Sequence, residues 1–254
     1  MYHKYFVWNI DDGLEQDKKI IQILKKYNMG ATFNLNSGLY GDKTMEGRIG
    51  NLGMSEVPIE KYKKNGFHLL PYAEHFRIPE DEVVRVYEGF EIASHSLEHK
   101  NMKQCDEAEL RRQILDDVKN LNEKFHQKTV GFVYPYGAVN DACIPLFKEA
   151  GIEYARVVGS DTSFRFPSDP YHMPMTCWHV KKNALDLIDQ FIAANPTDDD
   201  MFFLMFAHGY EFDFGTKESN WVKFEKICQK VSSAGDIICC STRDAFEAHK
   251  RNQK

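Results

Sequence analysis

The 254-residue sequence has no apolar run near the roughly 20 residues that a bilayer-spanning helix needs, so a membrane partner is not expected. Its start, Met1-Tyr2-His3-Lys4, passes straight into a strand-like segment, without the apolar core of about 7–15 residues that marks a secretory signal. No block or stripe of Lys/Arg stands out and the formal net charge is −6, which argues against nucleic acid as a partner. The six cysteines (Cys105, Cys143, Cys177, Cys228, Cys239 and Cys240) include no C-x-x-C pair, so neither a zinc knuckle nor a disulfide framework is indicated. Reduced thiols and a cytoplasmic location are the expectation. Low-complexity segments and composition breaks are also missing. Residues 1–254 are therefore expected to form a single domain, of a length normal for one α/β barrel.

What is present is a recurring unit, in which a helical segment ends at glycine and a short apolar run follows. It occurs at Lys25–Gly30 before Ala31–Leu35, at Lys63–Gly66 before Phe67–Leu70, at Phe147–Gly151 before Tyr154–Val158, and at Ser232–Gly235 before Asp236–Cys240. Glycine can adopt the left-handed conformation that closes a helix, and the run after it reads as a strand. Such alternation predicts a parallel sheet covered by helices. Tyr5–Ile10, Phe90–Ser94 and Gly131–Tyr134 read as further strands, and Met201–Ala207 is apolar enough for a strand buried on both faces. Leu110, Ile114, Val118, Leu121 and Phe125 repeat at helical spacing, predicting a helix over Asp106–Phe125 with Asp106 as its N-cap. The polar, Gly-rich stretch Asn36–Glu56 reads as a long loop or insertion.

Four segments could carry chemistry. Asp11-Asp12-Gly13 follows the first apolar strand, on the sheet edge where α/β active sites collect. Alone it reads more readily as a solvated Asp-Asp-Gly turn. His95-Ser-Leu-Glu-His99 follows another strand, and its i, i+4 spacing would put both imidazoles on one helix face within reach of one ion, against a reading as two surface histidines. Phe132–Gly137 is a strand running into a Pro-containing turn, able to fix a backbone N–H as an oxyanion donor or simply to end the strand. His208 stands at the end of a buried strand, as a proton donor or a structural histidine.

Taken in order, Asp-Asp-Gly, His-x-x-x-His, Pro-Tyr-Gly and the strand-end histidine resemble the polysaccharide deacetylases, the NodB-homology or carbohydrate esterase family 4 group. The resemblance runs through nearly the whole chain, including Ala31-Thr32-Phe33 and Ser241-Thr242-Arg243-Asp244. It implies a distorted (β/α) barrel of about seven parallel strands and one divalent ion, zinc first, with cobalt or nickel as alternatives. By the same resemblance, Asp12, His95 and His99 would hold the ion and Asp11 would be the base. Tyr136 would supply the backbone oxyanion donor, and His208 would be the general acid. The substrate would be a carbohydrate or amino sugar that loses its acetyl group; a cytoplasmic protein would act on a small amino sugar or cell-wall precursor.

Two departures qualify this resemblance. Val133 stands where the family often carries the arginine that orients the base, leaving Arg156 on the next strand as a candidate replacement. An Asp-rich fourth motif is not recognisable. Trp178, Trp221, Tyr210 and Phe212 are candidates either for stacking on sugar faces or for core packing. Two rival readings remain: an H-x-x-E-H metalloprotease with Glu98 as its base, which needs that motif inside a long helix, and an inactive carbohydrate-binding protein.

Overall fold

The computed structural model describes residues 2–48, 54–58, 72–214, 217 and 220–253. The expected unit at Lys63–Leu70 lies outside these residues.

Strand β1 (Lys4–Asp11) is the hub of the main sheet. It pairs in parallel with β11 (Met201–His208) on one side, and on the other with β12 (Ile237–Cys239) and then β2 (Ala31–Leu35). The sheet continues through β6 (Glu91–Ser94), β7 (Gly131–Val133), β8 (Tyr154–Ser160) and β9 (Met173–Met175), while β10 (Cys177–Trp178) flanks β11. The result is a parallel sheet nearly closed as a barrel, open between β9 and β10. Among the described residues it has nine strands, against the expected seven or so, with β9, β10 and β12 each of three residues or fewer.

Period-two alternation decides what lines this barrel. Phe6, Trp8 and Ile10 of β1 pack outward with Phe203 and Met205 of β11 against α1 (Asp17–Lys26) and other covering helices. Tyr5 and Val7 turn inward with Phe202, Leu204 and Phe206. Burying such a side chain contributes about 1.5–3 kcal/mol. Because β11 is buried on both faces, its sequence shows no alternation. The same inward rows end in polar groups at the strands' C-terminal edge: Asn9 and Asp11 on β1, Thr32 and Asn34 on β2, and His208 on β11.

The region expected to be a loop at Asn36–Glu56 contains strand structure. β3 (Lys43–Arg48), β4 (Met54–Pro58) and β5 (Tyr72–Phe76) form a separate antiparallel sheet. β5 docks beside the barrel rim through Glu15 N–H to the Phe76 carbonyl (2.8 Å), and Ala73 packs with Leu14 and Tyr210.

Asp106 caps its helix as expected, its side chain accepting from Glu109 N–H. The helix has three parts: α2 (Glu107–Arg111), a π turn (Arg112–Asp116) and α3 (Asp117–Phe125). Gly151 closes its helix in the left-handed conformation, but Gly30 does not; Asn28 is left-handed there. A Cβ on Gly30 would lie 2.8 Å from Cys240 Cα, so glycine is required by close backbone approach. Among the described residues no helix is long and apolar enough to cross a membrane.

Candidate active site

Asp11 and His208 are register partners at the C-terminal ends of β1 and β11. Asp12 follows with φ 80°, a conformation costly for a non-glycine residue, and this turn sends the two neighbouring carboxylates in different directions. Asp11 accepts from Asn34 Nδ2 (2.7 Å) and from Arg156 Nη2. The Arg156 side chain is buried and its guanidinium lies 4.3 Å from the centre of the Phe206 ring. Asp11 therefore has an arginine partner, supplied by β8 instead of the position of Val133.

His95 and His99 do not lie on a helix. They sit on a turn that leaves β6, with Ser96 and His99 at φ 64° and 52°. The backbone groups of this turn find partners outside it. His95 N–H donates to the Leu35 carbonyl, Leu97 N–H to the Gln113 carbonyl, and Asn36 Nδ2 to the carbonyls of His95 and Ser96. Gln113 lies in the π turn, and π turns are recurrent at functional sites. The H-x-x-E-H protease reading fails on this geometry. The required helix does not exist, and Glu98 is engaged by Arg112 (2.6 Å) and Gln113.

Asp12 Oδ1 lies 3.7 Å from His95 Nε2 and 3.6 Å from His99 Nε2. Donors about 2.0–2.2 Å from a tetrahedral zinc ion stand roughly 3.4 Å apart, so this spacing fits one divalent ion. Asp12 Oδ1 is buried without a hydrogen-bond partner among the described residues, an arrangement costly unless a cation completes it. The Val133 carbonyl accepts from His95 Nδ1 (2.9 Å), which leaves Nε2 with its lone pair. Burial holds both imidazoles below the usual histidine range, against the pull of Asp12, so both are neutral and able to ligate. Burial alone would raise Asp12, but the His75 hydrogen bond and the positive charge of His208 hold it well below the usual carboxylate range.

His208 Nδ1 lies 3.0 Å from Glu211 Oε1, and its Nε2 is 3.8 Å from Asp12 Oδ2. Glu211 also accepts from Trp178 Nε1 (2.9 Å) and faces His179 Nδ1 at 3.2 Å. Burial would lower His208; the charge and hydrogen bond of Glu211, then the charges of Asp12 and Asp11, outweigh it and raise His208 to about 9. Tyr136 stands at the turn after β7 with φ 57°, its ring 4.6 Å from that of His99.

All six expected site residues thus meet on one rim. Three further residues were not foreseen in their present roles. Glu211 lies three residues after His208, in the 3₁₀ turn Gly209–Phe214 that follows β11, and its carboxylate meets the His208 ring. His179 follows β10 and completes the Glu211 pair. His75 comes from β5 and lies 3.1 Å from Asp12 Oδ2. Of the aromatic candidates, Phe212 is fully buried in the core and Tyr210 nearly so, while the Trp178 N–H is committed to Glu211. A second cluster that could hold an ion, Asp199, Asp200 and His249, is engaged in tying the chain ends: Asp200 accepts from His3 N–H and Asn252 Nδ2.

Comparison with known proteins agrees with this geometry. Residues 3–155 match the family described as polysaccharide deacetylase. The poly-beta-1,6-N-acetyl-D-glucosamine N-deacetylase of Staphylococcus aureus is 28% identical over 165 residues, 60% of this chain and 48% of that protein. The chain thus spans about half the length of the curated relatives it matches. In fold it is similar to a peptidoglycan deacetylase of Bacillus subtilis, with TM-score 0.55 and 14% identity, covering 99% of this chain and 94% of that one. It is likewise similar to a family 4 carbohydrate esterase from Streptomyces lividans, with TM-score 0.54 and 15% identity, covering 93% and 91%. With the family match running through more than half of its residues and a barrel of the same architecture around them, this chain belongs to the polysaccharide deacetylase family.

Proposed function

We propose that this protein is a metal-dependent hydrolase that removes the acetyl group from an N-acetylated amino sugar, with Asp12, His95 and His99 holding the ion. The observation that carries the reading is the convergence of three donor atoms within 4.8 Å of one another, beside the register pair Asp11 and His208.

When bound there, a divalent ion would polarise the acetyl carbonyl and acidify water. Asp11, oriented by Asn34 and Arg156, accepts the proton of the attacking water. The backbone N–H of Tyr136 donates to the developing oxyanion, an interaction typically worth about 3–4 kcal/mol. His208 enters the step protonated, with Glu211 on its Nδ1 favouring the cationic form. It passes that proton to the leaving nitrogen, otherwise a poor leaving group. The products are acetate and the free amino sugar.

The Staphylococcus aureus relative's name supports a glycan built on N-acetylglucosamine as the substrate class. The test is acetate release from N-acetylglucosamine oligomers, muropeptides, sugar nucleotides and acetyl-xylan, with zinc, cobalt and nickel each supplied. Release that requires metal and is lost in His95→Ala and His99→Ala is the expected result. Sugar binding without acetate from any substrate would instead favour the inactive binding protein, and either histidine variant keeping its full metal content would remove the metal assignment.

A further inference from the structure

The two oxygens of Asp12 have different surroundings. Oδ1 faces His95 and His99 and has no hydrogen-bond partner among the described residues. Oδ2 lies 3.1 Å from His75 Nε2, and His75 is buried to 2% exposure. His75 does not belong to the barrel. It sits on β5 of the antiparallel sheet, 63 residues along the chain from Asp12.

We infer that His75 is a positioning residue for the metal carboxylate, so that the antiparallel sheet, and not the barrel alone, sets the affinity of the site for its ion. This rests on the proposed metal site at Asp12, His95 and His99. The argument is geometric. Asp12 follows directly from β1 in a left-handed conformation, and a carboxylate on so short a side chain can rotate away from the two imidazoles. A donor on Oδ2 removes that freedom and directs Oδ1 at the ion. A carboxylate oxygen only accepts, so His75 Nε2 carries the proton. In the neutral ring Nδ1 then faces the Thr44 hydroxyl, which lies 3.0 Å away on the adjacent strand β3 and is shared with the His75 carbonyl at 3.1 Å. Tyr210 packs against the same imidazole with ring centres 5.3 Å apart, so the ring is held from more than one side. His208 faces the same oxygen at 3.8 Å, too far to replace the hydrogen bond.

Partners of this kind, one step behind the ligands, typically change metal affinity by about 10–100-fold when removed. The experiment is zinc affinity by chelator competition on the full chain, for the unaltered protein, His75→Ala, His75→Gln and His99→Ala. X-ray absorption of the zinc-loaded proteins counts their imidazole ligands. His75→Ala is expected to weaken zinc binding by about 10–100-fold and to leave the imidazole count unchanged. Glutamine places an N–H donor near the same point, so His75→Gln is expected to recover most of the loss, which simple unseating of the sheet would not allow. The inference is overturned if His75→Ala binds zinc as tightly as the unaltered protein, if His75→Gln is as weak as His75→Ala, or if the imidazole count falls in His75→Ala, which would make His75 a ligand. His99→Ala separates the two readings: if it keeps full zinc affinity, the metal site itself is wrong, whereas its loss beside an unaffected His75→Ala refutes the positioning role alone.

Discussion

Val133 and Arg156 are register partners in the β7–β8 ladder, and the Arg156 guanidinium reaches Asp11 across the barrel interior. Parallel strands in register present paired side chains to the same face. An arginine on either strand can therefore serve the same carboxylate, and Arg156, the candidate replacement for the arginine absent at position 133, meets Asp11. Arg156→Met keeps much of the side-chain volume and deletes the charge. Leaving one member of a buried ion pair alone typically costs about 3–5 kcal/mol, read by denaturant unfolding. Turnover should fall about 10²-fold as Asp11 loses its orientation. Adding Val133→Arg to that variant should restore part of both. Full turnover and stability in Arg156→Met alone would dismiss the role.

Glu211 fixes when His208 can give up a proton. The metal-free protein should show a His208 titration near pH 9 by NMR. In Glu211→Gln the midpoint should fall towards the unperturbed value of about 6.5. The sign for stability follows. A histidine with a raised folded pKa contributes stability that is complete below about pH 6.5 and is lost as pH rises through about 9. The basic limb of the pH–rate profile should also move to lower pH in Glu211→Gln. A wild-type midpoint already at the unperturbed value would refute the pairing.

What the sequence reveals here is mostly what strand periodicity and punctuation carry. β2 begins and ends where the apolar run does, and the Asp106 cap was readable from one residue. The i, i+4 spacing of His95 and His99 fits a helix equally well, and nothing local announces left-handed backbone at Ser96 and His99. Arg156 left a trace, as a charge inside an apolar strand, and Glu211 left one in its i+3 spacing from His208. His75 left none, because its approach to Asp12 depends on a second sheet folding against the rim.

Gly30 tests the closeness of β2 to the segment after β12. Its N–H donates to the Cys239 carbonyl at 3.1 Å, and an added Cβ would meet backbone atoms of Cys240, which cannot rotate aside. Gly30 is not at positive φ, so only space is at issue. Gly30→Ala should therefore destabilise by about 1–3 kcal/mol, the usual range for overpacking. Thermal and urea unfolding measure it, and an unchanged midpoint would show that the two backbones can separate freely.

Asp11 and Asp12 are neighbours with opposite surroundings, and substitution should split their roles. Asp11 lies at the end of β1, held by Asn34 and Arg156, while Asp12 is turned by its left-handed backbone towards His95 and His99. Asp12→Asn should weaken metal binding, because a neutral amide is a poorer ligand for a divalent cation. Asp11→Asn should leave the metal bound and lower turnover by about 10²–10⁴-fold, because an amide cannot accept the proton of water. The amide can also donate, so in Asp11→Asn its N–H₂ would face the donors of Arg156 and Asn34, and one of these contacts must rearrange. A modest loss of stability should therefore accompany the loss of rate in Asp11→Asn, whereas Asp12→Asn should lose most of its stabilisation by added zinc. Zinc titration followed by thermal unfolding, with acetate release measured on the same samples, separates the two. If Asp11→Asn loses metal while Asp12→Asn keeps both metal and turnover, the roles are reversed.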